Sequence, residues 1–451
     1  MVRIYDTRAR RVERLAPGRV VRIYSCGPTV HRRCHLGDLR SHLLSDLVRR
    51  VLERRRVRVL ACRNITDVGH LTDSGVDKVV ERAQAEGRSA RELARFHEDT
   101  FRADTTALNL RPPEHTPRAS ETIELTIELI AKLVERGHAY VADGGAVFFD
   151  VRTFPSYGEI SGNRVDDRKS GHLLDAADPR RRFHADWTLW KPADGELTWE
   201  APWGRGFPAW HVECSAMSLH FLGDRFDLHT GGIDLRFPHH EDERAQSDSA
   251  AGHEVVRHWV HGEHLLFDGR KMAGSTGNVV LMSDVTAAGL DPLAVRTAFL
   301  EHRYRQQLDL TWETLRAADD TLRRWRRRVA QWAESPSAPM AAPYVERVES
   351  AFDDDLDTPA ALRALRELER DDAVPAGAKL ETFLHVDQLL GLDLSVDIGK
   401  VPMLPPGAGA LLEARARALA AHDWPEADRL RDDLDAMGVH VSDTPEGQTW
   451  T

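Results

Sequence analysis

Apolar and polar positions alternate through Val20-Val21-Arg22-Ile23-Tyr24-Ser25 until Cys26-Gly27-Pro28, which predicts a strand that runs into a turn. The period then changes. Leu43, Leu44, Leu47, Val48 and Val51 recur at helical spacing, so a helix follows the strand, with His35-Leu36-Gly37-Asp38 at its first turn. Val57-Arg58-Val59-Leu60-Ala61 is apolar enough for the next strand, and the order strand, helix, strand opens a parallel sheet of an α/β protein. Residues 312–390 are helical in pattern, with Leu362, Leu365 and Leu368 on one stripe. Residues 402–409 are rich in Pro and Gly and predict a linker. Beyond them 411–437 is strongly helical, and Gly438-Val439-His440-Val441 is a short strand.

Composition narrows the class without deciding it. A chain of 451 residues with 41% hydrophobic content can bury several cores, so three or more modules are expected. Four cysteines, no apolar run of membrane-spanning length and no signal segment predict a reducing, soluble compartment, the cytoplasm. The net charge of −11 argues against a globally basic nucleic-acid binder, but a protein that reads one structured RNA needs only a local positive surface. Arg323-Arg324-Trp325-Arg326-Arg327-Arg328 and the arginines of 49–58 are the candidates, although each taken singly reads first as a solvated helix face.

The chemistry lies in residues far apart in sequence. His239 and Glu243 stand at i and i+4 just after Pro238, so on a helix they share a face, and the sulfurs of Cys26 and Cys214 would complete a zinc site. Each residue alone reads as a buried thiol or a core histidine. His240 competes with its neighbour, and the partnership with Glu243 selects His239. Cys34 and Cys62 are expected to be plain thiols. The first turn of a helix after a strand, at His35 and Gly37, is where a phosphate would bind. Farther on, Arg270 and Lys271 open a Gly-rich loop that carries cations.

Taken in order, these stretches resemble the class I cysteinyl-tRNA synthetases over nearly all of the chain. The resemblance rests on Cys26-Gly27-Pro28-Thr29-Val30, on His35-Leu36-Gly37-Asp38 as a form of the HIGH signature, on Asn64-Ile65-Thr66-Asp67-Val68 and on Trp190-Lys191-Pro192. It continues through Trp210-His211-Val212-Glu213-Cys214, Asp227 to Asp234, Phe237-Pro238-His239-His240 and the loop from Lys271 to Ser275. It implies a class I Rossmann-type parallel-sheet catalytic domain with a connective insertion, then an α-helical anticodon-binding bundle and a small C-terminal α/β piece. The expected boundaries are 1–118 and 200–280 for the two halves of the catalytic domain and 119–199 for the insertion. Residues 281–311 are expected to contact the RNA stem, 312–395 to form the bundle, 396–410 the linker and 411–451 the anticodon-reading piece.

The implied reaction is ATP-dependent activation of L-cysteine to cysteinyl-adenylate, then transfer to cysteine tRNA, by a monomer in the cytoplasm. Cysteine and serine differ by one atom, and a shaped pocket separates near-isosteres by only roughly 1–3 kcal/mol. A Zn²⁺ ion held by Cys26, Cys214, His239 and Glu243 would instead select the thiolate. Because four protein ligands close a structural site, selection requires a fifth position or a loosened Glu243; a purely structural zinc is the alternative. The resemblance places Thr66, Trp210, His229 and Asp234 around the substrate cysteine, with Asp234 on its ammonium. ATP with Mg²⁺ would lie across His35, Gly37, Asp38 and Lys271, with His35, Arg270, Lys271 and Ser275 as the catalytic group.

The sequence departs from the family where KMSKS becomes Lys271-Met272-Ala273-Gly274-Ser275, so the second lysine is missing. Arg270 is the expected substitute. Asp38 in place of the last histidine of HIGH puts a carboxylate near triphosphate, which is unfavourable unless it turns away or meets Mg²⁺. Two further readings stand beside the first. One is a cysteine ligase for a non-tRNA amine, resembling the mycothiol-pathway enzymes; the other is a non-catalytic binder of cysteine or tRNA.

Overall fold

The computed structural model describes residues 2–450 apart from 17, 73–74, 164–177, 210, 273–276, 401–404, 440 and 445–446. Four parallel strands form the central sheet in the order Val256–Gly262, Phe226–Gly232, Val20–Ser25, Arg58–Arg63. The two strands read from the sequence are its neighbouring members, joined by the helix Leu36–Arg54. That helix buries Leu43, Leu44, Leu47, Val48 and Val51, the stripe that its spacing predicts, and Leu39 as well. The C-terminal ends of Val20–Ser25 and Phe226–Gly232 therefore open at the start of this helix, where ligands of open α/β sheets bind.

Between the strands Arg58–Arg63 and Phe226–Gly232 the chain leaves the sheet. That excursion carries helices and a separate antiparallel sheet of Ala139–Val141, Val147–Phe149, Trp187–Pro192 and Gly206–Pro208. Four helices, Trp312–Trp332, Ala342–Asp353, Thr358–Arg370 and Ala376–Leu390, follow the catalytic sheet and share its hydrophobic core. A buried ionic cluster reaches the last of these helices, where Arg50 Nη1 donates to Gln388 O at 3.1 Å. Asp46, in the Leu36–Arg54 helix, receives Arg50 Nε and Arg296 Nη2, each at 2.7 Å, while Arg296 Nη1 reaches Leu108 O at 2.9 Å.

Residues 397–451 form a second compact unit. Helices Ala408–Ala420 and Trp424–Ala436 and the hairpin Val441–Thr444/Gly447–Trp450 enclose a small core of Ala408, Leu412, Leu434 and Val439. Arg415, fully buried, pairs with Asp443 at 2.7 Å and so ties helix to hairpin.

Candidate active site

The helix His239–Ala251 begins directly after Pro238, and one turn brings His239 and Glu243 to the same face. Cys26 stands just past the end of Val20–Ser25, and Cys214 lies in the buried helix Val212–Leu222. Ligand atoms of these four residues lie within 4.8 Å of one another. Cys26 Sγ is 3.1 Å from both His239 Nε2 and Glu243 Oε1, and those two atoms are 2.8 Å apart. Donors at 2.0–2.3 Å from one ion stand roughly 3.3–3.8 Å apart in a tetrahedron, so a small outward shift would fit the set to zinc.

Electrostatics suits a cation. The hydrogen bond with Cys26 lowers the Cys214 thiol to about 6 against the cost of burial, and His239 works in the same direction. Burial alone would raise Glu243, yet His229 and His239 outweigh it and hold the carboxyl at about 2. Two anionic donors thus stand beside Cys26, whose thiol is raised by burial, and His239, which Cys214 and Glu243 raise against burial, so metal binding would release protons from these two. Cys26, His229, His240 and Glu243 form an overlapping group of the same size. Within it His240 Nδ1 meets His261 Nε2 at 2.8 Å, and His261 Nδ1 meets Thr7 Oγ1 at 2.8 Å.

A cleft of about 320 Å³ opens from Cys26 along the start of the Leu36–Arg54 helix. His35 caps this helix; its Nδ1 accepts from Asp38 N at 3.2 Å. Burial, only partly offset by Asp38, lowers the His35 pKa, so the ring is neutral near pH 7 and Nε2–H is its remaining donor. A Cβ at position 37 would lie 3.0 Å from His35 Cε1, so Gly37 gives the ring its seat. Asp38 lines the cleft with its charge engaged: His35 N donates to Asp38 Oδ2 at 2.8 Å and Arg32 Nη1 pairs with the same oxygen at 2.8 Å.

The residues expected around substrate are distributed unevenly. Asp234 and Lys271 line the cleft. Thr66 is buried, with its hydroxyl accepting from Asn64 Nδ2 at 2.9 Å, and His229 is buried behind Glu243, its Nε2 2.9 Å from Oε2. Neither is among the residues that line the cleft. Trp210, Ala273, Gly274 and Ser275 lie outside the described residues. Arg270 and Lys271 pair with Phe267 and Leu266 in a short hairpin, so they face opposite sides of the strand, and Arg270 is not part of the cleft lining.

Three residues of this region were not singled out from the sequence. Arg32 lies between two quoted motifs and could have been found as the cation nearest Asp38. His70 lines the cleft with Nδ1 2.8 Å from Thr29 Oγ1, and nothing in its loop announces that. Glu213, next to Cys214, is raised to about 8 by burial and by that thiol. Many arginines of the basic runs are paired with neighbouring carboxylates, Arg50 and Arg326 buried and Arg323 and Arg55 at the surface. Arg323, Arg324 and Arg326 pair with Asp319, Glu369 and Asp291, and Arg49, Arg50 and Arg55 pair with Glu114, Asp46 and Asp353. Among the described residues no helix is long and apolar enough to cross a membrane.

Residues 12–320 match the family model for the class I (C) tRNA synthetase catalytic domain, and 401–450 match the cysteinyl-tRNA ligase anticodon binding domain. The cysteine–tRNA ligase of Thermus thermophilus is 40% identical over 477 residues, covering 99% of this chain and 98% of that protein. The cysteine–tRNA ligase of Salinibacter ruber is 38% identical over 508 residues, with the same coverage. Among solved structures, Mycobacterium tuberculosis methionyl-tRNA synthetase bound by methionyl-adenylate aligns with a TM-score of 0.57 at 16% identity, over 90% of this chain and 96% of that one. The LeuRS–tRNA–LeuAMS complex of Agrobacterium radiobacter gives 0.61 at 11% identity, over 84% of each chain. At those identities the likeness is one of fold.

Proposed function

The chain belongs to the cysteine–tRNA ligase family of class I tRNA synthetases, and from this premise we propose that it activates L-cysteine with ATP and passes the cysteinyl group to cysteine tRNA. The observation that carries the reading is the convergence of Cys26, Cys214, His239 and Glu243 at the edge of a cleft that also holds His35 and Lys271. A Zn²⁺ ion on those four donors would bind the substrate as thiolate and discriminate against serine by coordination instead of shape. His229 steadies Glu243 from behind. Asp234, exposed at the cleft wall, takes the α-ammonium.

Activation joins a carboxylate oxygen of cysteine to the α-phosphorus of ATP as the bond to pyrophosphate breaks. No protein nucleophile is required, so position and charge supply the acceleration. His35 donates Nε2–H to the phosphates, and Lys271 meets the charge that develops on pyrophosphate. Arg32 keeps the Asp38 carboxylate from repelling the nucleotide. In the second step a ribose hydroxyl of the terminal tRNA nucleotide attacks the carbonyl carbon and AMP leaves.

The match of 401–450 to an anticodon-binding domain favours tRNA as acceptor over a small amine, and it fits a protein that works in the cytoplasm. The test is cysteine-dependent ATP–pyrophosphate exchange with purified protein, followed by transfer to cysteine tRNA. Exchange with transfer supports the proposal. Exchange without transfer points to another amine acceptor, and no exchange from zinc-loaded protein to a non-catalytic binder.

A further inference from the structure

A second cavity, of about 460 Å³, lies beside the catalytic cleft, and Glu263 lines both. Its wall brings Arg10, Arg236 and Arg305 together with Thr7, Ser161 and Gly162. Arg305 is neutralised by Asp355, with Nε at 2.7 Å. The other two differ from most arginines of this protein. Among the described residues neither the Arg10 nor the Arg236 guanidinium makes an ion pair, and Arg236 Nε is buried with no hydrogen-bond partner. A buried, unsatisfied guanidinium nitrogen is costly unless a ligand meets it.

The seat of Arg10 is built. Its backbone holds φ 56°, a left-handed conformation that a residue with a Cβ adopts only at some cost. Opposite it, Gly162 has φ 81°, and a Cβ there would lie 2.5 Å from Arg10 Nη2. The glycine therefore admits the guanidinium to the cavity. Glu263 is the one carboxylate among the lining residues, and its Oε1 accepts from His264 N at 2.9 Å.

We infer that this cavity is a phosphate-binding site that holds a backbone phosphodiester of the acceptor RNA close to the catalytic cleft. The guanidinium fork matches phosphate oxygens in geometry and charge. Position favours a polymer over a free ion, because the turn Ile233–Arg236 carries Arg236 into this cavity and Asp234 into the cleft where the cysteinyl group is activated. A protein of net charge −11 also needs local cations to engage RNA. The inference rests on the proposed tRNA-charging function.

The experiment uses the full chain with zinc and a cysteine tRNA transcript, comparing wild type, Arg10→Gln/Arg236→Gln and Arg236→Lys. The double variant should raise the KM for tRNA about tenfold or more and flatten the salt dependence of tRNA binding by about one in log–log slope, as one phosphate is no longer neutralised. Pyrophosphate exchange and the melting temperature should stay near wild type. Arg236→Lys, which keeps the charge, should fall between. Unchanged tRNA affinity and salt slope in the double variant overturn the site, as does an equal loss of exchange and charging. Inorganic phosphate that binds wild type but not the double variant, with tRNA affinity unmoved, would assign the cavity to a free anion and overturn the RNA assignment. Direct tRNA binding decides the site even if wild type activates cysteine and transfers none, a result that would sink only the functional reading.

Discussion

His229 Nε2 lies 2.9 Å from Glu243 Oε2, while Oε1 of the same carboxylate lies 2.8 Å from His239 Nε2. Glu243 is thus fixed on one side and faces Cys26 and His239 on the other. Stacked on Trp259 at 4.7 Å between ring centroids, His229 has little freedom to let it move. A partner of this kind orients a metal ligand, and its loss typically weakens metal affinity 10–100-fold.

Zinc content is therefore the first measurement. One equivalent per chain is expected, and less than about a tenth in protein never exposed to chelator would sink the assignment. Cys214→Ser should lose the metal and Cys34→Ser should keep it. His229→Gln should still bind zinc but release it to a competing chelator at roughly 10–100-fold lower chelator activity. Equal retention by His229→Gln and wild type would make the His229–Glu243 pairing incidental.

Arg32 and Asp38 offer a second test. With the guanidinium gone, Arg32→Ala leaves a carboxylate facing the nucleotide, and the KM for ATP should rise several-fold with cysteine affinity unchanged; the pair is partly exposed, which limits the effect. Arg32→Ala/Asp38→Asn should recover most of the loss. A double variant as impaired as the single one would mean that Arg32 acts on ATP directly.

The two kinds of information in the sequence reached different depths. Helical spacing after Pro238 placed His239 and Glu243 on one face, and the turn at Gly27-Pro28 marked where Cys26 would sit. Both depend on local geometry. What stayed hidden depends on pairing between distant strands and loops. His229 meets Glu243 where a helix packs on the sheet, and the side of the hairpin that Arg270 takes follows from its register with Phe267. The hydrogen bond that Thr66 accepts from Asn64, two residues away in its own loop, was not legible either. The carboxylate partners of the arginine runs were also hidden, because most of them come from other elements, as Glu369 does for Arg324 and Asp291 for Arg326.

Asp46 carries a prediction about stability. Its carboxylate is buried between Arg50 and Arg296, so Asp46→Ala leaves two buried guanidiniums without their anion and should cost about 3–5 kcal/mol in denaturant unfolding. Burial raises the Asp46 pKa but Arg296 and Arg50 outweigh it, leaving the carboxyl below its ordinary value. A depressed carboxylate stabilises the fold above its unfolded pKa, and that contribution disappears as pH falls through the folded value. The wild-type advantage over Asp46→Ala should accordingly be full at neutral pH and shrink in acid.

Removal of residues 397–451, a compact unit with its own core, should leave pyrophosphate exchange largely intact and weaken tRNA charging. Equal loss of both activities would make the unit merely structural. Charging that survives the truncation unchanged would discard its anticodon-reading role.

The loop departure gives the sharpest prediction. If the missing lysine limits activation, Gly274→Lys should raise the exchange rate, by up to roughly 10²-fold, because a cation there meets charge that develops only as pyrophosphate leaves. Affinity for cysteine should hardly change, since zinc on the proposed donors would hold the amino acid in ground and transition states alike. Lys271 lines the cleft and Arg270 faces the other side of its strand, so Lys271→Ala should be severe and Arg270→Ala mild. A severe loss in Arg270→Ala would show instead that the loop closes over the nucleotide and brings Arg270 across. No gain from Gly274→Lys, together with a mild Arg270→Ala, would mean that loop charge does not limit the rate, and that the remaining wall of the cleft already supplies what the leaving pyrophosphate needs.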